Sequence, residues 1–315
     1  MIVLDKRSWI RMVFAVRGSS LQVIFPRVLM VTAFATAATW AFFHYELVHY
    51  YSLTTTPFSL VGVALSIFLG FRNNESYDRF WEGRKLWGRM VNVSRSFTRQ
   101  VLTLVVSPEG AQSECEQLRA RQEKIVRTTV AYVDSFRHHL RGSDPREDLE
   151  KYMSEEEIDH AMSHSNVPIA ILQQLGDMVR GLWQEKAIHD FHVPVFEGSL
   201  TEMTGIQGGC ERIKHTPVPF TYNVLIHRIV AIYCLALPFG LIQSVGVLTP
   251  VVVCLISYAF FGLDAIGDEV EQPFELDDND LPLEGMSRTI EINLLEAISA
   301  DEIPEPTKPV GGVLY

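Results

Sequence analysis

A chain of 315 residues with a formal net charge of -11 has room for one or two domains and does not suit a nucleic-acid binder, which normally carries a basic face. With 47% apolar and 21% charged residues, it is too charged for a pure membrane bundle and too apolar for an ordinary water-soluble enzyme. Its four cysteines, Cys115, Cys210, Cys234 and Cys254, show no metal-ligand spacing, and two lie in apolar runs, so neither a disulfide framework nor a structural zinc site is expected.

The first apolar run, "VLMVTAFATAATWAFF" at 28–43, follows the basic residues Lys6, Arg7, Arg11, Arg17 and Arg27. Pro26 and Arg27 come too late for a cleaved leader, and no small-residue cleavage site followed by a soluble domain appears, so the run predicts a retained first span. The connector "HYELVHYYSLTTTP" at 44–57 holds no Lys or Arg. Tyr45, Tyr50 and Tyr51 with Trp40 form a candidate interfacial aromatic belt on the outer side.

The second run, within "VGVALSIFLGFRNNESYDRFWEGRK" at 61–85, passes from apolar to charged with no Gly-Pro break, which predicts one helix entering a polar environment. On that helix Gly62, Ser66 and Gly70 recur at four-residue steps as a small-residue face that permits close helix approach. One position on, Val63, Ile67 and Phe71 form a bulky apolar stripe. Several copies of such a stripe around a shared axis would make an apolar constriction that gates ions by dewetting; ordinary lipid or core packing is the alternative at this point.

The insert at 72–223 reads as helical, with Tyr77, Phe80, Trp81, Trp87 and Val91 on one face. Asp78 and Glu82 repel at four-residue spacing, so one of them should find a cation on another element. Further helices are predicted near 118–140, 154–163 and 168–188, whereas 197–222 mixes Gly and Pro and reads as a connecting segment. His160 and His164 have acceptable metal spacing, but surface pairs of this kind are common. "GIQGGC" at 205–210 lacks the strand and the Lys-Ser/Thr of a phosphate loop. No Ser-His-Asp or Cys-His arrangement can be argued from spacing, so no catalytic residue is assigned and no enzyme is expected.

The third run, 224–263, is too long for one crossing, and Gly246 and Pro250 in "SVGVLTP" divide it into a helical hairpin. This gives 1–27 as an N-terminal cytosolic segment, 28–71 as transmembrane helices one and two, and 72–223 as a helical cytosolic portion. Transmembrane helices three and four occupy 224–263, and 264–315 holds an acidic segment, an amphipathic helix and a tail. Basic residues crowd the N-terminal side of span one, the C-terminal side of span two and the N-terminal side of span three, which predicts both termini inside. Asp277, Asp278 and Asp280, with Glu275, are candidate ligands for a hard cation. A solvated acidic segment, or one paired with the arginines of 72–99, is the other reading.

"RFWEGRKLWG" after a short apolar helix, "QPFELDDNDLPL" after the last span and "GGCERIKHTPVPFTYNVLIHR" ahead of the third together resemble the bestrophin family in its bacterial branch. The resemblance implies an all-α, four-span homopentameric ion channel of the bacterial inner membrane. Its partners would be its own copies, membrane lipid and permeating monovalent ions. Matching Arg79-Phe80-Trp81 to the family segment puts Val63, Ile67 and Phe71 at the pore neck, and Ile169 resembles the residue of a second constriction. No cofactor is required on this reading. In animal members the acidic cluster forms a calcium clasp, from which Leu276, Asn279 and Pro282 depart here. The acidic balance points to monovalent cations as the permeating ions through electrostatic focusing. An anion channel of the same fold is the alternative, and a secondary transporter or membrane-anchored sensor is the alternative of another class.

Overall fold

The computed structural model describes residues 18–45, 54–106 and 112–314, with side chains from 116 onward in the last segment. The basic residues Lys6, Arg7, Arg11 and Arg17, the aromatics Tyr50 and Tyr51, and the Cys115 side chain lie outside the described residues. The described secondary structure is helical, apart from one isolated bridge between Val310 and Val313. Three stretches, Leu21–His44, Thr56–Leu104 and Phe220–Glu271, are long and apolar enough to cross a membrane.

The chain divides into two compact units. The first takes residues up to Trp81 together with Pro217–Pro273. It contains α1 (Leu21–His44), the N-terminal part of α2 (Thr56–Leu104), α8 (Phe220–Val245) and α9 (Thr249–Glu271). α1 begins seven residues before the predicted span and runs through Pro26, which stands early enough in the helix to disturb only its first turns. A 3-10 turn, Gly246–Leu248, separates α8 from α9. Gly246 adopts φ +63°, a left-handed conformation that glycine enters without steric cost, and Pro250 opens α9. The predicted hairpin is therefore present. Its core is mostly aliphatic: Ile24, Val31 and Ala35 of α1, Leu65 and Leu69 of α2, Ile226, Val230 and Leu237 of α8, and Val253 of α9, with Tyr233 of α8 and Phe261 of α9 as its aromatic members.

The second unit takes Glu82–Thr216 and the chain from Phe274 onward. It holds the rest of α2, then α3 (Gln112–Arg141), the short α4 (Arg146–Leu149), α5 (Glu155–Met162), α6 (Val167–Gln184), α7 (Val193–His215) and α10 (Leu283–Ala297). α5 starts on a capping box, Ser154 with Glu157, and α6 starts on Asn166, whose side chain accepts from the Ile169 N–H at 3.3 Å. The stretch predicted as a connecting segment is largely the 23-residue helix α7. Phe196, Leu200, Met203, Ile206, Cys210 and Ile213 recur on its buried face, and that periodicity outweighs four helix-weakening glycines. One glycine has a packing use: a Cβ on Gly209 would meet Leu86 Cδ1 of α2 at 3.0 Å.

Candidate functional site

On the first unit's part of α2, Gly62, Leu65, Leu69, Arg72 and Ser76 are buried at helical spacing. The stripe is the reverse: Val63 is 62% exposed, Ile67 53% and Phe71 61%. Ala64 and Phe68 are exposed beside it. The small-residue face is split. A Cβ on Gly62 would lie 2.6 Å from the Tyr233 hydroxyl of α8, so that glycine serves contact within the chain. Ser66 bonds back to Gly62 O at 2.8 Å, and Gly70 is open, with nothing within 4 Å of a Cβ built on it.

Directly after the stripe stands a charged cluster that sequence reading missed. Arg72 is wholly buried. Its Nη1 donates to Asp264 Oδ1 at 2.7 Å and to Asp264 O at 3.3 Å, and its Nη2 donates to Asp268. His227 Nδ1 lies 2.7 Å from the other Asp264 oxygen, and Arg27 Nη1 lies 4.0 Å from it. A Cβ on Gly267 would come within 2.5 Å of Asn73 Oδ1, so α9 approaches α2 closely at this point. Among the described residues, His227, Asp264 and Asp268 are the one convergent set of three groups able to ligate a metal, but the Arg72 guanidinium already engages both carboxylates. The only sequence signal for the cluster was charge at the ends of apolar helices. Two turns further on, Arg79 Nε donates to Glu271 O at 3.2 Å, while the Glu271 carboxylate accepts from Val218 N–H at 2.9 Å and Asn223 Nδ2 at 3.0 Å.

In the second unit, Glu82 meets Arg212 of α7 at 2.5 Å, the cation its repulsion from Asp78 called for. Ile169 is 38% exposed in the first turn of α6, at the edge of a cleft of about 550 Å³ between α6 and α7 that Arg180, Trp183 and Glu197 also line. The three aspartates considered for calcium do not converge. Asp280 turns inward and accepts from the Asp277 N–H at 2.8 Å, Asp277 is exposed and Asp278 half-buried. Burial, with Asp277 and Glu275 nearby, pushes the Asp280 carboxyl up to about 7. His160 and His164 stand with ring centroids 5.1 Å apart on the surface; among the described residues no third ligating group joins them. "GIQGGC" lies inside α7, so no phosphate-cradling loop forms there.

Residues 1–296 match a family described as "Bacterial/Fungal Bestrophin protein". A voltage-dependent anion channel-forming protein of Ralstonia nicotianae is 42% identical over 291 residues, 92% of each chain. A protein of the same description from Escherichia coli is 34% identical over 309 residues, 98% of each. A crystal structure of a bacterial bestrophin homologue from Klebsiella pneumoniae superposes with a TM-score of 0.81 at 35% identity, covering 89% of this chain and 100% of that one.

The cation preference drawn from the acidic balance is overturned by relatives named as anion channel-forming proteins. The net charge of -11 sums over the whole chain and does not record which charges stand on an ion's path. Over Glu82–Leu104, by contrast, α2 exposes Arg84, Lys85, Arg89, Arg95 and Arg99.

Proposed function

Because the chain belongs to the bacterial/fungal bestrophin family, an integral membrane channel family and not one of enzymes, we propose that it forms an anion-conducting pore. Five copies would assemble around a central axis, with Val63, Ile67 and Phe71 of each α2 forming the neck. The observation that carries this reading is that three bulky apolar side chains at four-residue steps stand more than half exposed, while the opposite side of the same helix is buried. Rings of such side chains hold back ions that keep their water. Ile169 would form a second constriction. Both termini would lie on the cytoplasmic side of the bacterial inner membrane, since the 44–57 connector and the "QSVGVLTP" turn contain no Lys or Arg.

An apolar neck discriminates mainly by dehydration and width, so the sign of the permeant ion is set by the charges it meets on approach. The relatives' names support anions, and so does the exposed basic face of α2 over Glu82–Leu104. Lys85 and Arg99 on that face have no carboxylate partner among the described residues, whereas Arg89 pairs with Glu202 at 3.1 Å.

Recordings from purified protein in planar bilayers under a KCl gradient test both parts of the proposal. The reversal potential should lie toward the chloride equilibrium potential, and Ile67→Ala should raise unitary conductance by about twofold or more. Reversal at the potassium potential defeats the anion reading. Unitary currents indifferent to Ile67→Ala defeat the neck.

A further inference from the structure

Apolar contact alone does not fix which face of α2 meets the pore. Lipid tails are as apolar as leucine, so a membrane helix gains little by burying one aliphatic face rather than its neighbour. The exposed side of α2 is broad, with Val63, Ala64, Ile67, Phe68 and Phe71 all open. A rotation by one residue, about 100°, would replace Val63, Ile67 and Phe71 by Ala64, Phe68 and Arg72.

We propose that Arg72 is the positioning residue that fixes this rotation, by holding the side of α2 opposite the neck to Asp264 and Asp268 of α9. On a helix of 3.6 residues per turn, residue 72 lies about 180° around from residue 63 and about 140° from residue 67. Its side chain therefore projects away from the stripe, and it is fully buried. The guanidinium reaches two carboxylates one helical turn apart on α9, so sliding or turning α2 breaks at least one contact. Breaking either leaves the buried guanidinium with only part of its compensation, a penalty that aliphatic packing in lipid does not impose. His227 of α8 at 2.7 Å, and Arg27 of α1 at 4.0 Å, share the second Asp264 oxygen, so the same carboxylate is tied to all three neighbouring helices. Gly267, which leaves room for Asn73, lets α9 come close enough for the contact. The inference rests on the neck reading.

The test is pore accessibility of cysteines to a water-soluble anionic methanethiosulfonate, read as loss of current in planar bilayers. Ile67→Cys and Phe68→Cys are compared in channels with native Arg72 and with Arg72→Met; protein without either cysteine sets the baseline. With native Arg72, residue 67 should react and residue 68 should not. With Arg72→Met, reaction at 67 should fall about tenfold and rise at 68 by as much, the change made by a barrier shift of about 1.4 kcal/mol. Arg72→Lys, which keeps the charge but loses the two-pronged geometry, should restore part of the native pattern. A purely structural arginine would change the amount of assembled channel and leave the 67-to-68 ratio alone. If residue 67 does not react with native Arg72, the neck reading fails and this inference with it. If it reacts and the ratio is unchanged in Arg72→Met, the neck stands and the positioning role is overturned. Should Arg72→Met not assemble, Asp268→Asn removes one carboxylate at a part-exposed position, and its ratio decides in the same way.

Discussion

The two units solve the same problem, fixing helices against one another, by different means. In the unit that follows Glu82 a set of aromatic rings runs through an otherwise largely aliphatic core: Trp87 stacks on Phe136 at 5.2 Å, Phe136 on Tyr132 at 6.4 Å, and Phe97 meets Phe196 edge-on at 6.1 Å. In water, burying such rings is favourable in itself, and their flat shapes define an angle as well as a distance. The unit of apolar helices has a mostly aliphatic core, in which Tyr233 meets Phe260 edge-on, together with glycine contacts and one buried arginine between two aspartates. Where the surroundings are as apolar as the core, packing supplies closeness, and orientation has to come from polar contacts that are costly to break. The unit that follows Glu82 also holds buried charge, but within a wider network. Asp134 accepts from Ser287 and lies 3.9 Å from Arg137, which bonds Asp148 at 2.5 Å. That load is shared among several partners.

Removing one partner from each unit tests the contrast. Asp264→Ala leaves Arg72 buried with half its compensation and is expected to destabilise the assembled protein by about 3–5 kcal/mol. Thermal unfolding in detergent, followed by size exclusion, measures it. The double change Arg72→Met with Asp264→Leu should recover most of that stability, since an apolar pair of similar volume replaces a buried ion pair at little cost. A loss below about 1 kcal/mol for Asp264→Ala would mean that the cluster is solvated, and the contrast between the units would collapse. In the aromatic stack, Phe136→Leu keeps the apolar character and removes two stacked contacts, so the expected cost is smaller, about 1–2 kcal/mol. An equal or larger cost than that of Asp264→Ala would reverse the ranking on which the comparison rests.

Much of the helical framework was legible from periodicity and turn chemistry. The α8–α9 hairpin followed from Gly246 and Pro250, and α10 from the amphipathic run that buries Ile290, Leu294 and Leu295. α7 was not, because its four glycines are weak helix formers and mask an apolar repeat that runs from Phe196 to Ile213. Arg72 was not either. Its partners lie 192 and 196 residues away in sequence, and no local pattern announces a contact at that separation. Net charge misled on the permeant ion for a related reason: a sum over the chain does not record what surrounds each charge.

Asp264 and Asp280 sharpen that last point, and with it the smallest of the expected effects. Both carboxylates are buried, but one faces a guanidinium and the other has Asp277 and Glu275 nearby. The Asp280 carboxyl is pushed up to about 7, so across the range from its ordinary value of 3.8 to about 7 the folded protein holds a proton that the unfolded chain releases. Stability from this group is therefore full at low pH and is lost as pH rises through about 7. Asp134, raised to about 6 by burial, acts in the same direction over a lower range. His139, whose imidazole burial holds below its ordinary value, acts in the opposite one. The difference between wild type and Asp280→Asn isolates one group from the other two. Between pH 6 and pH 7.5, the melting temperature of the wild type should fall more steeply than that of the variant, by a few degrees at most. Identical slopes in the two proteins would mean that the Asp280 carboxyl is ionised at its ordinary value and open to water, and the acidic turn would then be free to meet a cation after all.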